Sequence, residues 1–262
     1  SGNGDDVRVT TRTEINDPFN CIYSTIHEVG HASYEQNVNS NYNLTPLGSG
    51  VSLGIHESQS RIFENQLGRS RAFTRWLFKK MKETFSSFDI KNEEEFYRIV
   101  NKVSPGFIRT EADEVHYNLH IMLRFELEID IISKEIEVED IVDAWNSKFK
   151  SFFDKEVKSV SDGALQDVHW SLGAFGYFPT YTLGNLNAGC LFEAMKSDLP
   201  SLDKDLENGE IGSAKNWLTK KIHQYGSLYE PKNLMKKATG KEFSVEPLIS
   251  YLEEKFTDLY FN

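Results

Sequence analysis

The sequence predicts a mainly α-helical protein with few short strands. Apolar residues recur at helical spacing along most of the 262 residues, and several of these segments begin with a residue that caps helices. Strand-like alternation is limited to residues 7–13. The chain is 39% hydrophobic and 26% charged, which is ordinary for a globular protein, so disorder is not expected.

The individual helices follow from capping residues and apolar spacing. The first is predicted from Pro18 to about Gln36, because Asp17 is a good N-cap and proline fits the first turn. The second is predicted over residues 54–67, ended by Gly68. Further helices are predicted over residues 71–85, 92–103, 110–134 and 138–160, with three or four more between 186 and 260.

One long segment interrupts the helical pattern. Residues 162–184 are rich in glycine, proline, histidine and aromatic residues, which break helices and favour a loop. Because loops of this length in compact domains are usually functional, this segment is a candidate for part of an active site.

Composition excludes several classes of protein. The net charge of −11 argues against general binding of nucleic acid, and no apolar run is long enough for a membrane helix. Cys21 and Cys190 have no metal-ligand or redox spacing, which fits a reducing compartment. The first residues show no signal peptide, so we expect a cytoplasmic protein.

A metal-binding motif lies on the first predicted helix. His27, Glu28 and His31 form an H-E-x-x-H sequence, in which the two histidines share one helix face and can reach a single ion. A catalytic zinc site needs three protein ligands and a position for water, and Glu28 could take a proton from that water. The alternative is a buried pair of histidines bonded to the backbone.

Glu57 on the second predicted helix is the candidate third ligand. It follows His31 by 26 residues, about the length that a helix, a turn and a returning antiparallel helix need. The alternative for a lone glutamate is a solvated position on the helix surface.

Five motifs together resemble those of a known family. Residues 6–10 match D-x-R-x-T, 27–31 match H-E-x-x-H, 56–59 match H-E-S-Q, 108–113 match I-R-T-x-A-D, and 163–170 match G-x-x-Q-D-x-H-W. In this order they resemble the thermostable carboxypeptidase Taq family of metallocarboxypeptidases, peptidase family M32. Beyond residue 187 the resemblance rests on general helical character.

The resemblance implies a helical, zincin-like catalytic domain with a deep cleft, similar to the fold of neurolysin and angiotensin-converting enzyme. It implies removal of single C-terminal residues from peptides, with broad specificity, zinc as the metal, cobalt as a substitute, and a homodimer. Family members have about 500 residues, with an N-terminal helical half before the D-x-R-x-T motif, which here begins at Asp6. Residues 1–262 are therefore predicted to be one C-terminal catalytic portion that lacks the N-terminal helical half.

A carboxypeptidase must also recognise a free C-terminal carboxylate. Arg109 is the first candidate, because a guanidinium binds a carboxylate through two parallel hydrogen bonds. Its alternative is an ion pair with Asp113 or Glu111, and Arg8 is the weaker candidate for the carboxylate.

Resemblance to the wider fold implies that a histidine and a tyrosine of the long loop stabilise the oxyanion of the reaction. His169 and Tyr181 are the first choices and Tyr177 the next, and each tyrosine could instead be a core aromatic residue. Asp113 is a candidate for fixing the tautomer of a metal-binding histidine.

Two other functions stay open from the sequence. An oligopeptidase that cuts within short peptides would use the same zinc chemistry. A zinc-binding, dimerising fragment without catalytic activity would follow from the missing half.

Overall fold

The computed structural model describes residues 2–15 and 17–261 and confirms the mainly α-helical class. The two strands of this part, Gly2–Asn3 (β1) and Asp6–Val7 (β2), pair antiparallel, with Gly2 opposite Val7. The eleven α-helices of the described residues are α1 (Pro18–Gln36), α2 (Leu53–Arg61), α3 (Arg71–Thr84), α4 (Glu93–Val100), α5 (His116–Ile132), α6 (Ile141–Phe153), α7 (Pro179–Asp198), α8 (Leu202–Glu207), α9 (Gly212–Lys221), α10 (Pro231–Thr239) and α11 (Glu246–Phe261).

Helix α1 has the predicted bounds. The side chain of Asp17 accepts a hydrogen bond of 3.1 Å from the backbone N–H of Asn20, and Pro18 occupies the first turn. A helix that begins with these two residues needs no tertiary contact to set its start.

Helix α2 is shorter than predicted, because the expected helix over residues 54–67 continues as a π-helical turn over Ile62–Leu67. The N–H of Gly68 donates to the carbonyl of Phe63, five residues back, at 2.8 Å. A π-turn widens the helix and redirects the side chains that follow it.

The chain forms two compact units. The first comprises the residues up to Asn101 and from Leu183 onward, and the second comprises Lys102–Thr182. The largest core of the first unit includes Tyr34, Ile55, Leu191 and Leu218. The main core of the second is built on α5 and α6, with Leu123, Leu127, Trp145 and Phe149.

Several predicted element bounds were wrong. The helix predicted over residues 110–134 begins at His116, because the Asp113 carboxylate accepts the backbone N–H groups of Val115 and His116 instead of starting a helix at Thr110. The helix predicted over 138–160 ends at Phe153, where Asp154 takes a left-handed conformation with φ of 52°.

The strand, the long loop and the number of helices after it also differ from the prediction. The strand predicted over residues 7–13 stops at Val7, and residues 8–13 have no regular structure. The long loop ends at Phe178, since α7 begins at Pro179, a favoured first residue of a helix. Five helices, α7 to α11, occupy the region for which three or four were predicted.

Candidate metal centre

Three predicted ligands converge in the first unit. The Nε2 atoms of His27 and His31 lie 3.7 Å and 3.4 Å from Oε2 of Glu57. One ligand atom from each residue lies within 4.8 Å of both others. Among the described residues, this is the only such group of three histidine, cysteine or acidic side chains.

The donor atoms suit one small divalent cation. Zinc bonds of about 2.0–2.1 Å to nitrogen or carboxylate oxygen, in tetrahedral geometry, place neighbouring ligands about 3.4 Å apart. The two histidine–glutamate separations of 3.4 and 3.7 Å are close to this value. Two neutral imidazoles and one carboxylate leave room in the coordination shell for a further ligand.

Glycines let the supporting helices approach closely. An added Cβ at Gly30, between the two histidines of α1, would lie 2.4 Å from the carbonyl oxygen of Gln59 on α2. An added Cβ at Gly184 of α7 would lie 2.4 Å from Cγ of Glu57. Backbone and side chain therefore occupy the space that any larger residue at these positions would need.

The Glu57 carboxylate is held in its charged form. Arg61 Nε donates to its Oε1 at 2.8 Å, and the hydroxyl of Ser60 donates to its Oε2 at 3.1 Å. Burial raises the pKa of Glu57, but Arg61 and the two histidines lower it by more, so the pKa lies well below its usual range. The carboxylate is thus available as an anionic ligand.

The Nδ1 atoms of both histidines have side-chain partners. His27 Nδ1 lies 2.9 Å from Glu64 Oε2, and His31 Nδ1 lies 2.6 Å from His56 Nδ1. His56 Nε2 lies 2.8 Å from Glu35 Oε1. Burial lowers the pKa of His27, but the bond to Glu64 and nearby negative charge raise it by more, to above its ordinary value.

Asp113 is not among these partners. Its carboxylate belongs to the second unit and bonds the ring of His116 at 2.8 Å, whereas Glu64 and His56 lie beside the Nδ1 atoms of His27 and His31. Glu64 lies seven residues after Glu57, on the same face of a helix, so the sequence contained a signal for it. No local pattern marks Glu35.

Glu28 lies on α1 directly after His27 and is half-buried. Within the described residues its carboxylate has no hydrogen-bond or ion-pair partner. Its two neighbours in the motif both have such partners.

Arg8 lies just after β2 and is exposed. Its Nε and Nη2 atoms donate to the carboxylate of Asp6, at 3.0 Å and 2.7 Å. This bond to Asp6 raises the pKa of Arg8.

Arg109 is buried in the second unit, with 5% of its surface exposed. Its Nε and Nη2 donate to Oδ1 of Asp167 at 3.1 Å and 2.6 Å, and its Nη1 donates to the hydroxyl of Tyr117 at 3.0 Å. The other oxygen of Asp167 accepts from Nε of Arg124 at 2.7 Å, and burial lowers the pKa of Arg124 to about 10. These bonds favour the ion-pair alternative for Arg109, with Asp167 as the partner in place of Asp113 or Glu111.

The three predicted oxyanion donors lie together in the second unit. His169 Nε2 is 3.0 Å from the hydroxyl of Tyr181, and the ring of Tyr177 is 5.2 Å from that of His169 and 5.5 Å from that of Tyr181, between centroids. Burial lowers the pKa of His169, which favours its neutral form. His169 Nδ1 lies 3.8 Å from the Asp167 oxygen that Arg109 bonds.

A helical fold and a centre of two histidines from an H-E-x-x-H helix with one glutamate from a second helix define a class of metallopeptidases. The model of one family, the carboxypeptidase Taq (M32) metallopeptidases, matches residues 1–256. The chain belongs to this family.

The chain is also similar to individual carboxypeptidases in sequence and in structure. Carboxypeptidase 1 of Bacillus subtilis (strain 168) is 45% identical over 259 residues, which cover 98% of this chain and 52% of that protein. Thermostable carboxypeptidase 1 of Pyrococcus furiosus is 43% identical over 251 residues, which cover 96% of this chain and 50% of that protein. The crystal structure of an M32 carboxypeptidase from Deinococcus radiodurans R1 matches with a TM-score of 0.95 and 42% identity, over 99% of this chain and 53% of that one.

The chain spans about half the length of the relatives it matches. None of the helices in the described part is both long and apolar enough to cross a membrane.

Proposed function

We propose that this chain is the metal-binding catalytic part of a metallocarboxypeptidase, which hydrolyses the last peptide bond of a substrate and releases single amino acids with broad specificity. The convergence of His27 Nε2, His31 Nε2 and Glu57 Oε2 is the observation that supports this proposal most directly. The relatives are carboxypeptidases by name, which supports the choice of reaction.

Zinc is the metal that we propose for these three ligands, with cobalt as a substitute, because two imidazoles and one carboxylate form a common set in catalytic zinc sites. A bound zinc ion supplies polarisation of the scissile carbonyl and a lower pKa for water. Glu57, His27 and His31 would hold the ion, and the bond from Arg61 keeps Glu57 ionised.

Glu28 is the proposed general base. Its carboxylate takes a proton from the attacking water and later delivers it to the nitrogen of the leaving amino acid. The absence of a competing partner for this carboxylate in the described part of the chain supports the assignment.

His169 and Tyr181, with Tyr177 as the next candidate, are the proposed donors to the oxyanion. The 3.0 Å bond between His169 Nε2 and the Tyr181 hydroxyl supports a joint role, because each group fixes the orientation of the other. Asp167 anchors the segment that carries His169 through its bonds to two arginines.

Recognition of the substrate carboxylate is proposed for Arg109, with Arg8 as the weaker candidate. Because the guanidinium of Arg109 already donates to Asp167 and Tyr117, binding a peptide carboxylate would require exchange of one of these partners. Arg8 is exposed but paired with Asp6.

The compartment and the oligomeric state are also part of the proposal. Two free cysteines support a reducing, cytoplasmic compartment, and assembly as a homodimer stays a prediction from the family resemblance. An oligopeptidase and an inactive zinc-binding fragment are the functions that an experiment must separate from a carboxypeptidase.

The experiment combines metal analysis with amino-acid release. The purified chain is expected to bind one zinc or cobalt ion and to release single residues from N-blocked peptides, while the matched C-amidated peptides stay intact. Cleavage of the amidated peptides would indicate an oligopeptidase, and bound metal without any cleavage would indicate the inactive fragment. Failure to bind either metal would refute the proposed function.

A further inference from the structure

The two ring nitrogens of each proposed metal-binding histidine face different partners. Both Nε2 atoms face Glu57, whereas both Nδ1 atoms face side chains on the other side, Glu64 for His27 and His56 for His31. A neutral imidazole that binds a metal through Nε2 carries its proton on Nδ1. Each Nδ1 is therefore a hydrogen-bond donor in the metal-bound state.

This assignment fixes the direction of the bond between His31 and His56. The two Nδ1 atoms are 2.6 Å apart, so one of them must donate and the other must accept. With the proton on His31, His56 accepts at Nδ1 and carries its own proton on Nε2. That proton then points at Oε1 of Glu35, 2.8 Å away.

The result is a chain of hydrogen bonds with one direction, from His31 through His56 to Glu35. The Glu35 carboxylate at the end of this chain of hydrogen bonds only accepts, and each N–H in the chain has one acceptor. The reverse direction would place the proton of His56 on Nδ1 and leave His56 Nε2 without a proton, facing a carboxylate that can only accept when ionised.

The support on the other side is different. Glu64 is a largely buried carboxylate whose Oε2 also accepts from Nη1 of Arg61 at 3.2 Å. The π-helical turn Ile62–Leu67 carries Glu64, and Arg61 contacts both Glu57 and Glu64. His27 is thus held by a charged acceptor and His31 by a neutral one.

We propose that Glu64 and the His56–Glu35 pair are positioning residues, which fix the tautomer and ring orientation of His27 and His31 for a metal bound at their Nε2 atoms. The proposal rests on the metal site of the proposed function. It assigns the first residue of the H-E-S-Q segment, His56, a separate task from that of its neighbour Glu57.

Metal affinity tests the proposal without any peptidase assay. Apparent dissociation constants for Zn²⁺ and Co²⁺ are measured by competition with a chromophoric chelator. Loss of such an outer partner typically weakens metal binding by about 10- to 100-fold, and we expect this for Glu64→Leu and His56→Phe, because neither new side chain can accept a hydrogen bond. His116→Phe is the matched control, because His116 forms a similar 2.8 Å pair with Asp113 in the other unit, and it should bind metal like the parent.

Conservative variants separate the hydrogen bonds from the packing of the ring. His56→Asn keeps an acceptor near the position of Nδ1 and should recover part of the affinity that His56→Phe loses. Glu35→Gln keeps an acceptor for His56 Nε2 and should bind metal within about threefold of the parent, well below the loss expected for a missing partner. Equal losses in His56→Asn and His56→Phe would mean that ring packing, and not the bond, supports His31.

Nitrogen-15 NMR of the imidazole rings in the zinc-loaded chain reads the tautomers directly. His31 should be protonated at Nδ1 and His56 at Nε2, and a His56 proton on Nδ1 would overturn the proposed direction. Parent-like affinities of Glu64→Leu and His56→Phe would overturn the positioning role alone. A parent chain that binds neither metal would instead overturn the proposed function, and the positioning role with it.

Discussion

Substitution of Gly30 by alanine tests whether close helix packing builds the metal centre. The added Cβ would lie 2.4 Å from the carbonyl oxygen of Gln59 and 2.5 Å from Cα of Ser60. Ordinary contacts between such atoms are about 3.5 Å, so α1 and α2 must separate by roughly 1 Å. The obstructing atoms are backbone and have no rotamer by which to move away.

The magnitude follows from two opposing effects. Overpacking costs about 1–3 kcal/mol, and the rigid backbone places Gly30→Ala in the upper half of that range. The higher helix propensity of alanine returns about 1 kcal/mol, which leaves a net loss of roughly 1–2 kcal/mol. Because metal–ligand distances must agree within about 0.2 Å, the shift should also weaken metal binding by roughly tenfold or more.

Urea unfolding of the metal-free chain and chelator competition with Zn²⁺ measure the two effects separately. Gly212→Ala is the matched control, because an added Cβ at Gly212 meets no atom within 4 Å. That variant should keep the parent's metal affinity and gain stability by up to about 1 kcal/mol. If Gly30→Ala behaves like the control in both assays, the tight approach of the two helices is not needed for the site.

Four further predictions concern single residues. Glu28→Gln should retain the metal and lose nearly all peptide cleavage, and cleavage at the parent rate would show that Glu28 is not the base. Gly184→Ala should displace the Glu57 side chain and weaken zinc binding by about tenfold. Chelator competition with the variant and the parent measures this difference. Asp167→Asn leaves buried positive charge uncompensated and should lower the free energy of unfolding by about 3–5 kcal/mol in urea, whereas an unchanged value would show that the arginines find other partners. Burial, with nearby arginines, lowers the pKa of His120 to about 3, so the neutral ring contributes fully to the free energy of unfolding above pH 6.5. Below that pH the contribution declines by about 1.4 kcal/mol per pH unit. His120→Phe should flatten this dependence in urea unfolding at different pH values, and an equal slope in both proteins would contradict the assignment.

The parts of the fold that the sequence predicted are those with local causes. Helix α1 has its predicted bounds because Asp17 and Pro18 determine its start from within the same turn. The closeness of the two candidate ligands on α1 was predictable for a similar reason, since spacing of i and i+4 places His27 and His31 on one face whatever surrounds the helix.

The errors have causes that lie outside the local pattern. A side chain of the right type, Asp113, caps a helix, but it caps the turn that starts at His116 and not the one expected from Thr110. The π-turn after Arg61 follows a helix-favouring sequence that no propensity distinguishes from an α-helix. Glu35 supports the site through His56, a contact between neighbouring helices that only the three-dimensional structure reveals.

The two units hold their polar groups in place by different means, so substitutions in each unit should have different effects on metal affinity and on stability. In the first unit the proposed ligands stand on helices that Gly30 and Gly184 allow to pack without a gap, so small shifts should appear first as lost metal affinity. In the second unit His169 follows directly on Asp167, whose carboxylate is shared by two buried arginines, so disturbance should appear first as lost stability. If a substitution at Asp167 lowers stability and leaves zinc affinity unchanged, the metal site and the loop that carries His169 depend on separate contacts. If the same substitution also lowers zinc affinity, the two depend on the same contacts.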